Sequence, residues 1–207
     1  MYYHASQTAG IRVLEPRVSN HGVPLVYFST KRENTLVYLS NAIEKFCRDT
    51  GFPHQGSWTK WGPYGFRDGI LHLEEYYPNA LEETYRGVSG YLYRAASIRE
   101  APQAIEIPSA AVSAVPVPVD GVETIPDAYE AVLEAERKGL LLVTRYENLS
   151  EKMLDWIRKT MQEQYDGAED QPEYRYFLQN KFDFLQHADE TGRASHDIRN
   201  FEPAGPP

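Results

Sequence analysis

Residues 24–38 read PLVYFSTKRENTLVY, and the reading of this stretch organises the rest of the chain. Leu25, Val26, Tyr27 and Phe28 form a short apolar and aromatic run that suits a buried strand. Ser29 and Thr30 follow. Each has a hydroxyl that can accept from an unpaired amide at the start of a helix, and Glu33 lies at capping-box distance from Thr30. Leu36, Leu39, Ile43 and Phe46 then recur at helical spacing, which predicts one helix over 31–49 with a buried stripe, closed by Gly51. Tyr38 is off that stripe, about 200° round the helix from Leu36 at 3.6 residues per turn. An aromatic that the core does not need is free to line a pocket.

Upstream, residues 1–4 predict a first strand, and 11–22 (IRVLEPRVSNHG) a loop broken by Pro16, Asn20 and Gly22. Downstream, Trp58, Trp61, Tyr64 and Phe66 sit among prolines and glycines without periodicity, as in a segment that either folds over the core or lines a site. Strands are expected at 70–73 and 88–95, with a short helix over 78–85 between them. A second β region spans 104–119, held to edges and breaks by Pro108, Pro116 and Pro118. Ile125-Pro126-Asp127 opens a helix to Lys138, and 140–143 is a last short strand or a buried turn. Ser150 caps a helix in which Leu149, Met153, Ile157 and Met161 recur every fourth residue, and 173–185 predicts another. Beyond His187 the chain turns polar and ends FEPAGPP, as an extended tail does. The expected class is α+β: a domain over 1–146, a helical appendage over 147–187 and a flexible tail over 188–207.

A chain of 207 residues can bury a single core without staples. The formal net charge of −9 works against a protein whose main partner is a nucleic-acid backbone. Cys47 is the lone cysteine, so a disulfide scaffold is excluded and a buried, inert thiol in a reducing compartment is expected. The opening MYYHASQTAG lacks a basic segment followed by an apolar one, and no run approaches the ~20 apolar residues that span a bilayer. A cytoplasmic protein without a membrane partner is therefore expected. The six histidines show no paired metal-ligand spacing, so no metal is expected, and GxGxxG, P-loop and G-x-S-x-G motifs are absent.

Tyr27-Phe28 at the end of a strand, Thr35 eight positions after Tyr27, and Tyr38 eleven after it form a spaced set, joined to His4-Ala5-Ser6 on the first strand. The set resembles the nicotinamide pocket of ADP-ribosyltransferases, especially the poly-ADP-ribose polymerase and diphtheria-toxin branch. The match covers roughly the first forty residues, and the rest by order of elements. The resemblance implies a split β-sheet with a helix after the second strand. It also implies NAD as substrate, bound bent, and transfer of ADP-ribose to an acceptor such as a protein.

By that resemblance His4 would bond a ribose hydroxyl and Ser6 would contact the adenosine side. Tyr27 and Tyr38 would sandwich the nicotinamide ring, and Thr35 would bind its carboxamide. Stacking of a cationic ring on tyrosine is worth about 0.5–2 kcal/mol. Positive character develops at the anomeric carbon as the glycosidic bond breaks, so positioning and charge stabilisation are what the site must supply. Arg12 and Arg17, in the loop that approaches the adenosine half, could meet the pyrophosphate. The family's triad runs His, Tyr and then usually Glu at the start of a late strand. Here Ser113 or Ala114 stands in that place. Ser113 is therefore counted with the cofactor-binding residues, and Glu106 is the acid assigned beside His4 and Tyr27; Glu123 reads as a solvated acid. The departure motivates an alternative, a non-catalytic nucleotide- or protein-binding module on the same fold. An RNA 2′-phosphotransferase shares that fold, but the acidic balance argues against it.

Overall fold

In a computed structural model, which describes residues 1–18, 22–54, 64–102 and 105–186, the chain is a mixed α+β protein. Its first elements are β1 (Tyr2–Ser6), β2 (Val13–Leu14), β3 (Arg17–Val18) and β4 (Pro24–Ser29). A 3-10 helix (Glu33–Leu39) and α1 (Ala42–Thr50) follow. Then come β5 (Tyr64–Arg67), β6 (Ile70–Glu74), α2 (Ala80–Tyr85), β7 (Gly90–Ala95), β8 (Ala110–Ser113), β9 (Val117–Pro118) and β10 (Gly121–Ile125). The last elements are α3 (Ala128–Arg137), β11 (Leu141–Thr144), α4 (Glu151–Asp166) and α5 (Pro172–Lys181). Trp58, Trp61, His21, His187, His196 and the expected tail over 188–207 lie outside the described residues.

The chain forms two compact units. The first is built from Met1–Ser40, Tyr64–Leu73 and Leu81–Val143; the second from Asn41–Pro63, Glu74–Ala80 and Thr144 onward. The second unit thus draws on two earlier pieces of chain as well as the expected helical appendage.

In the first unit an antiparallel sheet runs in the order β10-β7-β1-β4-β3, with β8 also paired to β4. β1 lies along β7 from Tyr2↔Ala95 to Ser6↔Tyr91, and β4 lies along β8 from Val26↔Ser113 to Ser29↔Ala110. Between themselves β1 and β4 meet at Tyr3↔Ser29. The two central strands are therefore each held mainly by an outer neighbour. One face of this sheet carries Val26, Phe28, Tyr93 and Ala95, packed with Leu14 and Val117. The other carries Leu92 and Ala5 against Leu36, Val37 and Leu39 of the 3-10 helix and Val132 of α3.

The single helix expected over 31–49 is two elements. The 3-10 helix has Arg32 at its N-cap position with no side-chain cap, so the Ser29/Thr30–Glu33 capping box does not form. Ser29 accepts instead from the amide of Lys31, and Thr30 bonds the carbonyl of Ser109. Ser40 is extended, and Asn41 starts α1 by accepting from the amides of Ile43 and Glu44. Leu36 and Leu39 consequently belong to the first unit's core, whereas Ile43 belongs to the second's. Gly51 closes α1 in the left-handed conformation, as expected.

In the second unit α1, α4 and α5 pack Ile43, Cys47, Ile157, Met161, Phe177 and Leu178 into one apolar cluster. Cys47 is fully buried, and burial pushes its thiol up. Ser150 caps α4 as its position predicts, while the helix expected over 173–185 ends at Lys181 and resumes as a 3-10 turn, Asp183–Leu185.

Candidate functional site

His4 stands near the middle of β1, and its Nδ1 lies 2.8 Å from the backbone carbonyl oxygen of Tyr27 on β4. A carbonyl only accepts, so Nδ1 is the donor and, in the neutral ring, Nε2 is left with its lone pair. Burial holds the imidazole below its ordinary value. The Tyr27 carbonyl opposes that shift, and the Arg17 cation adds to it. The His4 ring meets Phe28 edge-on at 6.0 Å. Beside it, Tyr93 donates to the carbonyl of Thr8 at 2.6 Å and accepts from the amide of Ile11 at 3.2 Å. The loop leaving β1 is thereby pinned to β7. At the end of β1, Ser6 accepts from the amide of Thr8 at 3.1 Å.

Alternation along β4 sends the Tyr27 ring to the side opposite Phe28, and hence opposite the side on which His4 packs. Because Tyr3 pairs with Ser29, Tyr27 shares the face of Ala5, which is the face covered by the 3-10 helix. Tyr27, Thr35 and Tyr38 thus share one side of the sheet. His4 reaches Tyr27 through its carbonyl at the line where β1 and β4 part.

Thr35 and Tyr38 are one turn apart on the 3-10 helix, where side chains three residues apart eclipse one another. Thr35 is buried, and its hydroxyl donates to the carbonyl of Arg32 at 2.6 Å. Tyr38 is 47% exposed and meets Tyr64 edge-on at 6.1 Å. Tyr85, beneath, donates to the carbonyl of Val37 at 3.2 Å. Burial raises the phenols of Tyr38, Tyr64 and Tyr85 above the ordinary tyrosine value, so all three stay protonated near neutrality. These rings therefore offer faces and O–H groups rather than charge.

Two of the expected site residues lie apart from this cluster. Ser113 is fully buried at the end of β8, where its hydroxyl donates to the carbonyl of Val115 at 2.8 Å and accepts from the Val115 amide. It closes a turn. Glu106 is exposed on the segment entering β8 and is not in a strand.

Two features escaped the sequence reading. Glu123 on β10 is paired with Arg32: Nε donates to Oε2 at 2.9 Å and Nη2 to Oε1 at 2.5 Å. The Arg32 guanidinium, with Arg94 also near, holds the Glu123 carboxyl below its usual range. Ninety-one positions separate the two residues, and no local signal links them. The second feature is Asn34, 5% exposed on the 3-10 helix, whose Oδ1 and Nδ2 are both buried without a hydrogen-bond partner. An unmet buried polar group costs about 1–3 kcal/mol. An asparagine beside a capping box reads as helix surface, so its burial was not foreseeable.

Among the described residues no group of three His, Cys, Asp or Glu side chains is placed to hold a metal ion, and no helix is long and apolar enough to cross a membrane. No protein-family model, curated protein or solved structure matches this chain.

Proposed function

We propose that the first unit binds NAD in the manner of an ADP-ribosyltransferase and transfers ADP-ribose to an acceptor such as a protein. The observation that carries this reading is the His4 Nδ1–Tyr27 carbonyl bond, which ties the histidine of β1 to the tyrosine of β4 where the two strands part. Support also comes from Thr35 and Tyr38, one turn apart on the helix that covers the Tyr27 face. On this reading the dinucleotide straddles the parting strands. Its nicotinamide lies on the side of Tyr27 and Tyr38, and its ribose on the side of His4, where unprotonated Nε2 accepts from a hydroxyl. Stacking on Tyr27 and Tyr38 favours the cationic nicotinamide ring. His4, kept neutral by burial, adds no positive charge beside the anomeric carbon where positive character grows. Glu106 stays the proposed acid, and it would have to approach from its loop.

The test is calorimetric titration of NAD and nicotinamide into the full chain, together with an assay of nicotinamide release. Binding with release that His4→Ala abolishes is the expected result; the absence of any interaction with either compound would end the reading. A second reading, a non-catalytic nucleotide-binding module, is favoured by Ser113, whose hydroxyl is committed to a turn where the family usually has a carboxylate. Binding of NAD without release would select it.

A further inference from the structure

We propose that Tyr64 is a positioning residue for Tyr38, holding that exposed ring in one attitude so that a flat ligand stacks on it without first having to order it. The inference rests on the NAD reading above and adds a residue to it. Tyr64 opens β5, pairs with Leu73 of β6, and packs its ring against the first unit's core. Tyr38 stands on the 3-10 helix and is 47% exposed, so a ligand in solvent can reach it. The two rings meet edge-on, 80° apart, with centroids separated by 6.1 Å. An anchored ring is thus set against one that the helix alone would leave free to turn.

Their phenols are also hydrogen-bonded to each other. Burial raises both groups; beyond that, the mutual bond lowers Tyr38 and raises Tyr64 further. A hydrogen bond eases ionisation of the group that accepts it and hinders that of the group that donates, so Tyr64 donates and Tyr38 accepts. Tyr85, the third phenol nearby, has one proton and gives it to the carbonyl of Val37 at 3.2 Å. Tyr64 is therefore the phenol that holds Tyr38 by its oxygen. Ordering a side chain on binding opposes affinity, and a ring already held in the free protein avoids that loss.

The experiment uses the full chain as wild type, Tyr64→Phe, Tyr38→Phe and the double variant. Each is followed by pH titration of ¹³Cζ-labelled tyrosine in NMR and by calorimetric titration of nicotinamide. Tyr64→Phe keeps the ring and its packing and removes the donor alone. In the wild type Tyr38 should ionise before Tyr64, and in Tyr64→Phe the Tyr38 titration should move to higher pH. Nicotinamide should bind Tyr64→Phe ~3–10-fold more weakly than the wild type. Tyr38→Phe and the double variant should bind it alike, because Tyr64 acts only through the Tyr38 oxygen. A Tyr38 titration that Tyr64→Phe does not move overturns the assignment. So does unchanged affinity in Tyr64→Phe, or an equal loss in both backgrounds, which marks a residue that only supports the fold. Each of these leaves the NAD reading standing. If Tyr64→Phe does not fold, the wild-type order of ionisation decides, and Tyr64 ionising first overturns the assignment. No nicotinamide binding by the wild type overturns both readings.

Discussion

His4 shows what a single side chain contributes beyond its identity. Its place on the first strand was legible in the sequence, and the fold adds a defined tautomer through the Tyr27 carbonyl. The folded ring is held below its ordinary value of 6.5, chiefly by burial. Below that pH the unfolded chain takes up a proton that the native ring resists, so stability is full above about pH 6.5 and falls as pH drops toward the folded value. Ring ¹H–¹⁵N NMR titration should place His4 below 6.5, and His4→Gln should flatten the loss of stability between pH 6.5 and 5. Gly90 is constrained in another way. A Cβ there would lie 2.6 Å from Leu39 Cδ2 and 3.1 Å from the Ser6 carbonyl oxygen. Gly90→Ala should therefore destabilise the chain by roughly 1–3 kcal/mol, read as a lower urea midpoint with an unchanged m-value. The residue types of the candidate site were legible in the spacing from Tyr27 to Tyr38. The commitment of the Thr35 proton and the burial of Asn34 were not, because both depend on a 3-10 rather than an α-helical turn.

The break between the 3-10 helix and α1 is the main correction among the elements. The apolar positions 36, 39, 43 and 46 fit one α-helix, yet the chain is extended at Ser40 and restarts at Asn41. Helical spacing reports which residues are buried, and here they are buried in two different cores. Asn41 is the cap that the restart requires, and Asn41→Ala should cost about 1 kcal/mol by chemical denaturation. Other elements were missed for identifiable reasons. Asp68 and Gly69, both with positive φ, form the turn that joins β5 to β6, and this dipeptide was a hairpin signal within a segment read as irregular. β2 and β3 are two-residue strands whose pairing partners, β9 and β4, hold them in place, and no periodicity marks them. β10 lies just beyond the β region expected over 104–119 and takes in Ile125, where the helix was expected to open. Its Glu123 pairs with Arg32, but both side chains are partly exposed, so Glu123→Gln should change stability by less than ~1 kcal/mol, measured by urea denaturation.

At the scale of the whole molecule, the described residues form three buried apolar clusters, two in the first unit and one in the second. Phe177 has no exposed surface in the second unit's cluster and packs edge-on against Phe46 at 5.5 Å. Phe177→Ala should cost about 3–5 kcal/mol, measured by equilibrium denaturation. The sequence by itself determined the α+β class, the strands of β1, β4, β6 and β7, and the caps at Ser150 and Gly51. These follow from alternation, apolar runs and punctuation, which act over a few neighbouring residues. Tertiary structure alone decided that residues 41–54 and 74–80 join the C-terminal helices, that Arg32 meets Glu123, and that Asn34 is buried without a partner. Each of these depends on which distant segments pack together. Hydrophobic burial is non-directional: it drives a stripe inward without naming the surface that will cover it.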